Sequence, residues 1–205
     1  LDRRQTLFTS DWHINHENVL RFDNRPFKDL DHMATVLVNN YNAAAGPDTV
    51  GFFLGDMGMG NSDALREVLR RLMGTKVLVL GNHDKGTESM YKIGFDVVLN
   101  GATLWVANHR VTMSHCPLKD VFREDTSGMK KYAGEPWHGN SKNTRFTVED
   151  LGQFHLHGHI HSPNGGKSKK ILGRQYDVGV VANGYRPVSI STIESWIALS
   201  TKGTT

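Results

Sequence analysis

The chain of 205 residues contains one cysteine, Cys116, so no intramolecular disulfide can staple it, and a reducing compartment suits it best. Proline is sparse at 6 residues, and long apolar runs are missing. The longest, 50–54 and 77–80, have the length of strands and cannot cross a bilayer. An excess of one charge is missing too: 24 Lys+Arg against 21 Asp+Glu leave +3. That is too little for a dedicated nucleic-acid coat, although a local basic patch stays open. No apolar stretch of signal-peptide length follows residues 1–6. With 38% hydrophobic residues the composition excludes collagen-like, low-complexity and largely disordered chains. A single cytoplasmic domain over 1–205, with no membrane partner, is expected.

Histidine is what the chain has in surplus. There are 11, and four fall within residues 155–161. Histidine is the commonest metal ligand and titrates nearest neutrality.

The first half alternates strand-like and helix-like stretches. Residues 6–10 are β-prone and end at Asp11. Leu30, Met33, Ala34, Leu37, Val38 and Tyr41 follow a three-and-four spacing, which predicts a helix over 30–44. The apolar run 50–54 reads as a strand covered on both faces. Asn61 or Ser62 can cap a helix carrying Leu65, Val68, Leu69 and Leu72, and residues 76–80 form a third strand. This βαβαβ order argues for parallel strands. The second half is richer in strands, at 97–99, 103–107, 111–114, 154–157 and 176–181, before a closing helix with Ser191 and Glu194 as a capping box. Residues 119–145 have no clear period and read as an irregular insertion.

In open α/β sheets, ligands bind beyond the carboxyl ends of the strands. Five strands here run out into Asp11-Trp12-His13, Gly55-Asp56, Gly81-Asn82-His83-Asp84, Ser114-His115 and Gly158-His159-Ile160-His161. Each motif alone is weak. The tetrapeptide beginning at Gly81 would arise by chance on the order of once in a thousand such chains. Asp and His ligands with an Asn carbonyl suit divalent ions of intermediate hardness, such as Mn, Fe, Co, Ni or Zn. Two such ions held about 3.5–4 Å apart by a shared carboxylate can clamp both oxygens of a phosphoryl displacement.

On these motifs, in this order, the sequence resembles the calcineurin-like metallophosphoesterases. Asp23-Asn24-Arg25-Pro26-Phe27 and Asn183-Gly184-Tyr185-Arg186-Pro187-Val188 bring it nearest the short phage and bacterial phosphohydrolases. The resemblance implies a four-layer α/β/β/α sandwich and two divalent ions, manganese favoured. One would be held by Asp11, His13, Asp56 and His161. The other would be held by Asp56, Asn82, His115 and His159, with Asp56 as the bridge. His83 would protonate the leaving oxygen, and Asp84 would orient His83. Departures are small: Ser114 precedes His115 where a glycine is frequent, and Met57-Gly58-Met59 lacks a further acid.

The expected function is phosphodiester hydrolysis on a nucleotide or nucleic-acid fragment. The alternatives are a phosphomonoesterase or protein phosphatase, or a non-catalytic scaffold on the same fold. His16, His138, Arg145 and Lys167 are candidate substrate contacts. The basic stretch with Lys169, Lys170 and Arg174 reads as a solvated loop or a phosphate-facing edge. His155 reads as a structural histidine, and His157 as a support behind the metal ligands. Cys116 reads as a small buried residue rather than a nucleophile.

Overall fold

The computed structural model describes residues 6–118, 146–162 and 171–202. The first sheet is built from the alternating half of the sequence. Strands β1 (Thr6–Thr9), β2 (Val50–Phe53), β3 (Thr75–Val79) and β4 (Val97–Leu99) lie side by side in that order and run parallel. Parallel neighbours need long crossovers. These are supplied by α1 (Glu17–Phe22) with α2 (Leu30–Asn42), by α3 (Ser62–Arg71) and by α4 (Thr87–Ile93).

The second sheet collects β5 (Ala102–Val106), β6 (His109–Met113), β7 (Phe154–His157), β8 (Ile171–Leu172) and β9 (Gln175–Asp177) in the order β5-β6-β7-β9-β8. Its centre, β6-β7-β9, is parallel, and both edge strands are antiparallel. The chain then returns to the first sheet. There β10 (Val188–Ser189) pairs antiparallel with β1 and leads into α5 (Ile190–Lys202). The result is a mixed α/β fold with two mixed sheets. Among the described residues, no helix is long and apolar enough to cross a membrane.

Alternation along the strands of the first sheet separates two cores. Leu7, Phe53 and Leu78 face α2, α3 and α4, where Met33, Leu37, Tyr41, Leu65, Leu69 and Met90 meet them. Phe8, Phe52, Leu54, Val77 and Val79 point the other way, toward Val111, Met113, Phe154 and Leu156 of the second sheet. Burial on both faces explains why 50–54 is almost continuously apolar. Trp196 of α5 joins the second core edge-on to Phe154 and Tyr176.

Some elements differ from the sequence reading. Helix α2 ends at Asn42, and β9 stops at Asp177 rather than 181. The closing helix starts at Ile190, so Ser191 lies inside it; the Oγ of Ser189 accepts the Thr192 N–H at 3.2 Å and takes the capping role expected of Ser191. Asn61 does cap α3, accepting from the N–H of Asp63 at 2.9 Å. Helices α1 and α4, of 6 and 7 residues, are too short to show a stripe in sequence. The 119–145 insertion lies outside the described residues.

Phe53 is fully buried between Trp12, Tyr41 and Phe95, with ring centroids 5.4–5.8 Å away. Phe53→Ala should cost about 3–5 kcal/mol of stability, read as a lowered urea midpoint at unchanged slope.

Candidate metal centre

Five strand ends meet at one place. Strand β1 delivers Asp11 and His13, β2 Asp56, β3 Asn82 and His83, β6 His115, and β7 His159 and His161. The loops are tied together by backbone hydrogen bonds. The N–H groups of Asp11 and His13 donate to the carbonyls of Gly55 (3.1 Å) and Asp56 (3.0 Å). Across the sheets, the N–H of Val180 donates to the Ser10 carbonyl at 3.0 Å. Asp11, His13, Asp56, His159 and His161 all have positive φ, between 46 and 68°. L-residues enter that region at a cost, and such strain gathers at functional sites. Of the motif glycines, Gly55 has positive φ (88°), as a sharp turn requires. Gly158 is needed for close approach instead: a Cβ there would sit 2.4 Å from Asp11 Oδ2. That approach lets the N–H of His159 donate to both Asp11 oxygens, at 3.1 and 3.0 Å.

The donor atoms form two neighbouring groups. In one, His13 Nε2 lies 3.1 Å from His161 Nε2, which is 3.5 Å from Asp11 Oδ1. In the other, His115 Nε2 lies 2.9 Å from His159 Nδ1 and 3.0 Å from Asn82 Oδ1. Asp56 Oδ2 stands between them, 3.7 Å from His13 Nε2 and 3.3 Å from His115 Nε2. The seven residues called from the sequence are therefore brought together, with Asp56 in the position of a bridge.

The donor set fits divalent cations. His115 Nδ1 faces the Leu54 carbonyl at 2.7 Å, and His161 Nδ1 faces the Asp23 carboxylate at 2.9 Å. Both partners only accept, so each Nδ1 carries the proton, and in the neutral ring Nε2 turns a lone pair inward. His13 Nε2 faces His161 Nε2 at 3.1 Å, a separation that either a proton or a cation between the two nitrogens satisfies.

The buried carboxylates also attract protons, which compete with a cation for the same nitrogens. Burial opposes ionisation of Asp11 and Asp56, yet the neighbouring His161 and His115 overcome it and hold both carboxyls well below the usual range. Burial works against the charged form of His115 and His161 too. Asp56 nevertheless raises His115 to about 9, and Asp11 with Asp23 raises His161 to about 10. His13 and His159, where burial wins, fall to about 3.

His83 alone in the cluster is exposed, its side chain 44% accessible, with Nε2 4.0 Å from Asp56 Oδ2. Its backbone N–H donates to Asp56 Oδ1 at 2.9 Å. Asp84 corrects an expectation, because its carboxylate does not orient His83. It accepts instead from the N–H groups of Asp56, Met57 and Gly81 at 2.8–2.9 Å, and so pins the loop that carries Asp56. Burial and the Asp56 charge push that carboxyl up to about 6.

His16 sits at the rim, its ring 5.5 Å from that of His13. His138, Arg145 and Lys167, with Lys169 and Lys170, lie outside the described residues. Arg174 is paired with Asp150 at 2.9 Å rather than facing the cluster. His155 is structural, with its ring nitrogens 2.9 Å from Thr112 Oγ1 and 3.1 Å from the Cys116 carbonyl. Burial raises the Cys116 thiol far above its ordinary range, so it is no nucleophile at neutral pH. Sequence reasoning assigned no role to Asp23, Arg25 or Asp177. Asp177, fully buried, accepts from the N–H groups of Ser162 (3.1 Å) and Gly179 (2.7 Å), holding the backbone next to His161. Asp23 and Arg25 lie in the run that carried the resemblance, but no spacing rule links Asp23 to His161, 138 residues away.

The gene 66 protein of Mycobacterium phage L5 is 31% identical over 188 residues, covering 87% of each chain. The chain belongs to that phage gene 66 family. The gene 66 protein of Mycobacterium phage D29 is 29% identical over 173 residues, 76% of this chain and 77% of its own. An uncharacterized protein of Methanocaldococcus jannaschii is 34% identical over 98 residues, and the chain spans 56% of its length. A crystal structure of a protein of unknown function from Aquifex aeolicus superposes with a TM-score of 0.67 at 26% identity. That likeness covers 93% of this chain and 98% of the other. No protein-family model matches the sequence.

Cations entering the cluster must displace the protons that His115 and His161 hold at neutral pH. Zinc or manganese affinity should rise with pH through about 9 to 10, with proton release seen as calorimetric heats that change with the buffer. Heats independent of the buffer would contradict this. In the metal-free chain the raised values act in the opposite sense. Their stabilisation is complete below about pH 6.5 and is lost as pH rises through about 9 to 10, which a melting series in chelator will read.

Proposed function

We propose that the protein is a binuclear metal-dependent phosphoesterase that hydrolyses phosphodiester bonds, with a nucleotide or nucleic-acid fragment as substrate class. The observation that carries this reading is the pair of donor groups on either side of Asp56, built from five strand ends of two sheets. With it goes a finer fold assignment, the four-layer α/β/β/α sandwich. Helices α2 to α4 on one face of the first sheet, and a core shared between the sheets, support it.

Asp11, His13, Asp56 and His161 would hold one divalent ion, and Asp56, Asn82, His115 and His159 the other. Manganese is favoured, and Fe, Ni, Co or Zn are compatible with the donors. When bound, the two ions would supply positive charge for the phosphoryl oxygens and a water acidic enough to attack near neutral pH. The rest falls to the chain. His83, exposed beside Asp56, donates a proton from its imidazole to the leaving oxygen. A group in that role contributes about 10²–10⁴-fold. Asp84 keeps Asp56 in place by holding its backbone, and His115 and Asp11 are both fully buried, which shields their side chains from bulk water.

The manganese-supplemented protein should cleave bis-p-nitrophenyl phosphate faster than p-nitrophenyl phosphate. His83→Ala should keep its metal content and lose about 10²-fold or more of the turnover. Full turnover in that variant removes the proton-donor role. A monoester preference moves the reading to a phosphomonoesterase or protein phosphatase, and silence without bound metal to a scaffold on the same fold.

A further inference from the structure

Asp23 and Arg25 supply none of the seven donors, yet both are committed to the cluster. The Asp23 carboxylate meets His161 Nδ1 with both oxygens at 2.9 Å. Arg25 in turn holds Asp23 Oδ2 through Nε (3.1 Å) and Nη2 (3.0 Å). The same guanidinium, whose side chain is 0% exposed, donates to the carbonyls of Asp11 (2.9 Å) and Trp12 (3.0 Å). We propose that Asp23, braced by Arg25, is a positioning residue that locks the His161 ring with Nε2 toward a divalent cation. The inference rests on the metal-centre reading above.

A carboxylate only accepts hydrogen bonds, so the contact keeps the proton on Nδ1 and fixes both the tautomer and the rotation of the ring. Nε2 is thereby aimed at His13 Nε2 and Asp11 Oδ1. Arg25 adds a second constraint. It grips the backbone of Asp11, which holds a φ of 61°, and the carboxylate that orients His161. The donors that follow β1 and His161, one of the two that follow β7, are therefore set against each other through one short loop of the first half. Such support is local to one donor group. In the other, His115 leans on the neutral Leu54 carbonyl, so losing Asp23 acts on one cation position and spares its neighbour.

The test is a zinc titration of the full chain, followed by metal analysis and by long-range ¹H–¹⁵N spectra of the histidine rings. Wild type should bind two zinc ions, with His161 protonated at Nδ1 and bound through Nε2. Asp23→Ala should weaken one of the two ions by about 10–100-fold and leave the other unchanged. In a His161→Ala background, Asp23→Ala should have no further effect, because the interaction it removes is already gone. Unchanged zinc affinity in Asp23→Ala overturns the proposal, as does the same loss persisting without His161. An Nε2–H tautomer in the zinc-loaded wild type overturns it without any variant. Wild type that binds no zinc overturns the metal-centre reading itself, a result distinct from either failure of Asp23.

Discussion

Taking the Asp56 carboxylate out of water, at 2% exposure, costs free energy that ion pairing and hydrogen bonds must offset. The surroundings are arranged accordingly. The His83 backbone N–H donates to one oxygen, and the rings of His115 and His13 stand near the other. Asp84 accepts the N–H of Asp56 itself, so the residue is held by its backbone as well as its side chain. These partners come from the ends of β1, β3 and β6, in two different sheets. The buried charge of Asp56 thus ties three of the converging loops together.

The convergence is strained. Five clustered residues hold positive φ, and Gly158 leaves room for the second sheet's backbone to approach Asp11. Conformations of this kind persist when the structure around them over-determines them. Two apolar cores provide that support, one under helices α2 to α4 and one between the sheets. The Arg25 clamp on the Asp11 and Trp12 carbonyls adds a polar restraint to the turn that follows β1.

Much of this was legible in the sequence because the relevant signals are local. The alternating pattern of the first half announced parallel strands, since apolar runs such as 50–54 need cover on both faces. The seven residues that the structure brings together could be picked out because each follows a strand and carries a side chain able to hold a metal. The roles of supporting residues were less accessible. Asp84 looked like a partner for its neighbour His83, but three backbone N–H groups claim its carboxylate. Ser189 caps the last helix in place of Ser191, because pairing of Val188 and Ser189 with β1 sets where the helix begins.

By itself, the sequence determined the element types of the long periodic segments and the chemical identity of the donors. Periodicity and residue type are properties of neighbours in the chain, and they need no fold to be read. Only the tertiary structure decided which donors face each other. It put His13 against His161 and His115 against His159, and left Asp56 between the pairs. It also decided that Asp23 reaches His161 across 138 residues of sequence. Contacts at that separation depend on how two sheets pack and how their loops bend, which no local pattern encodes.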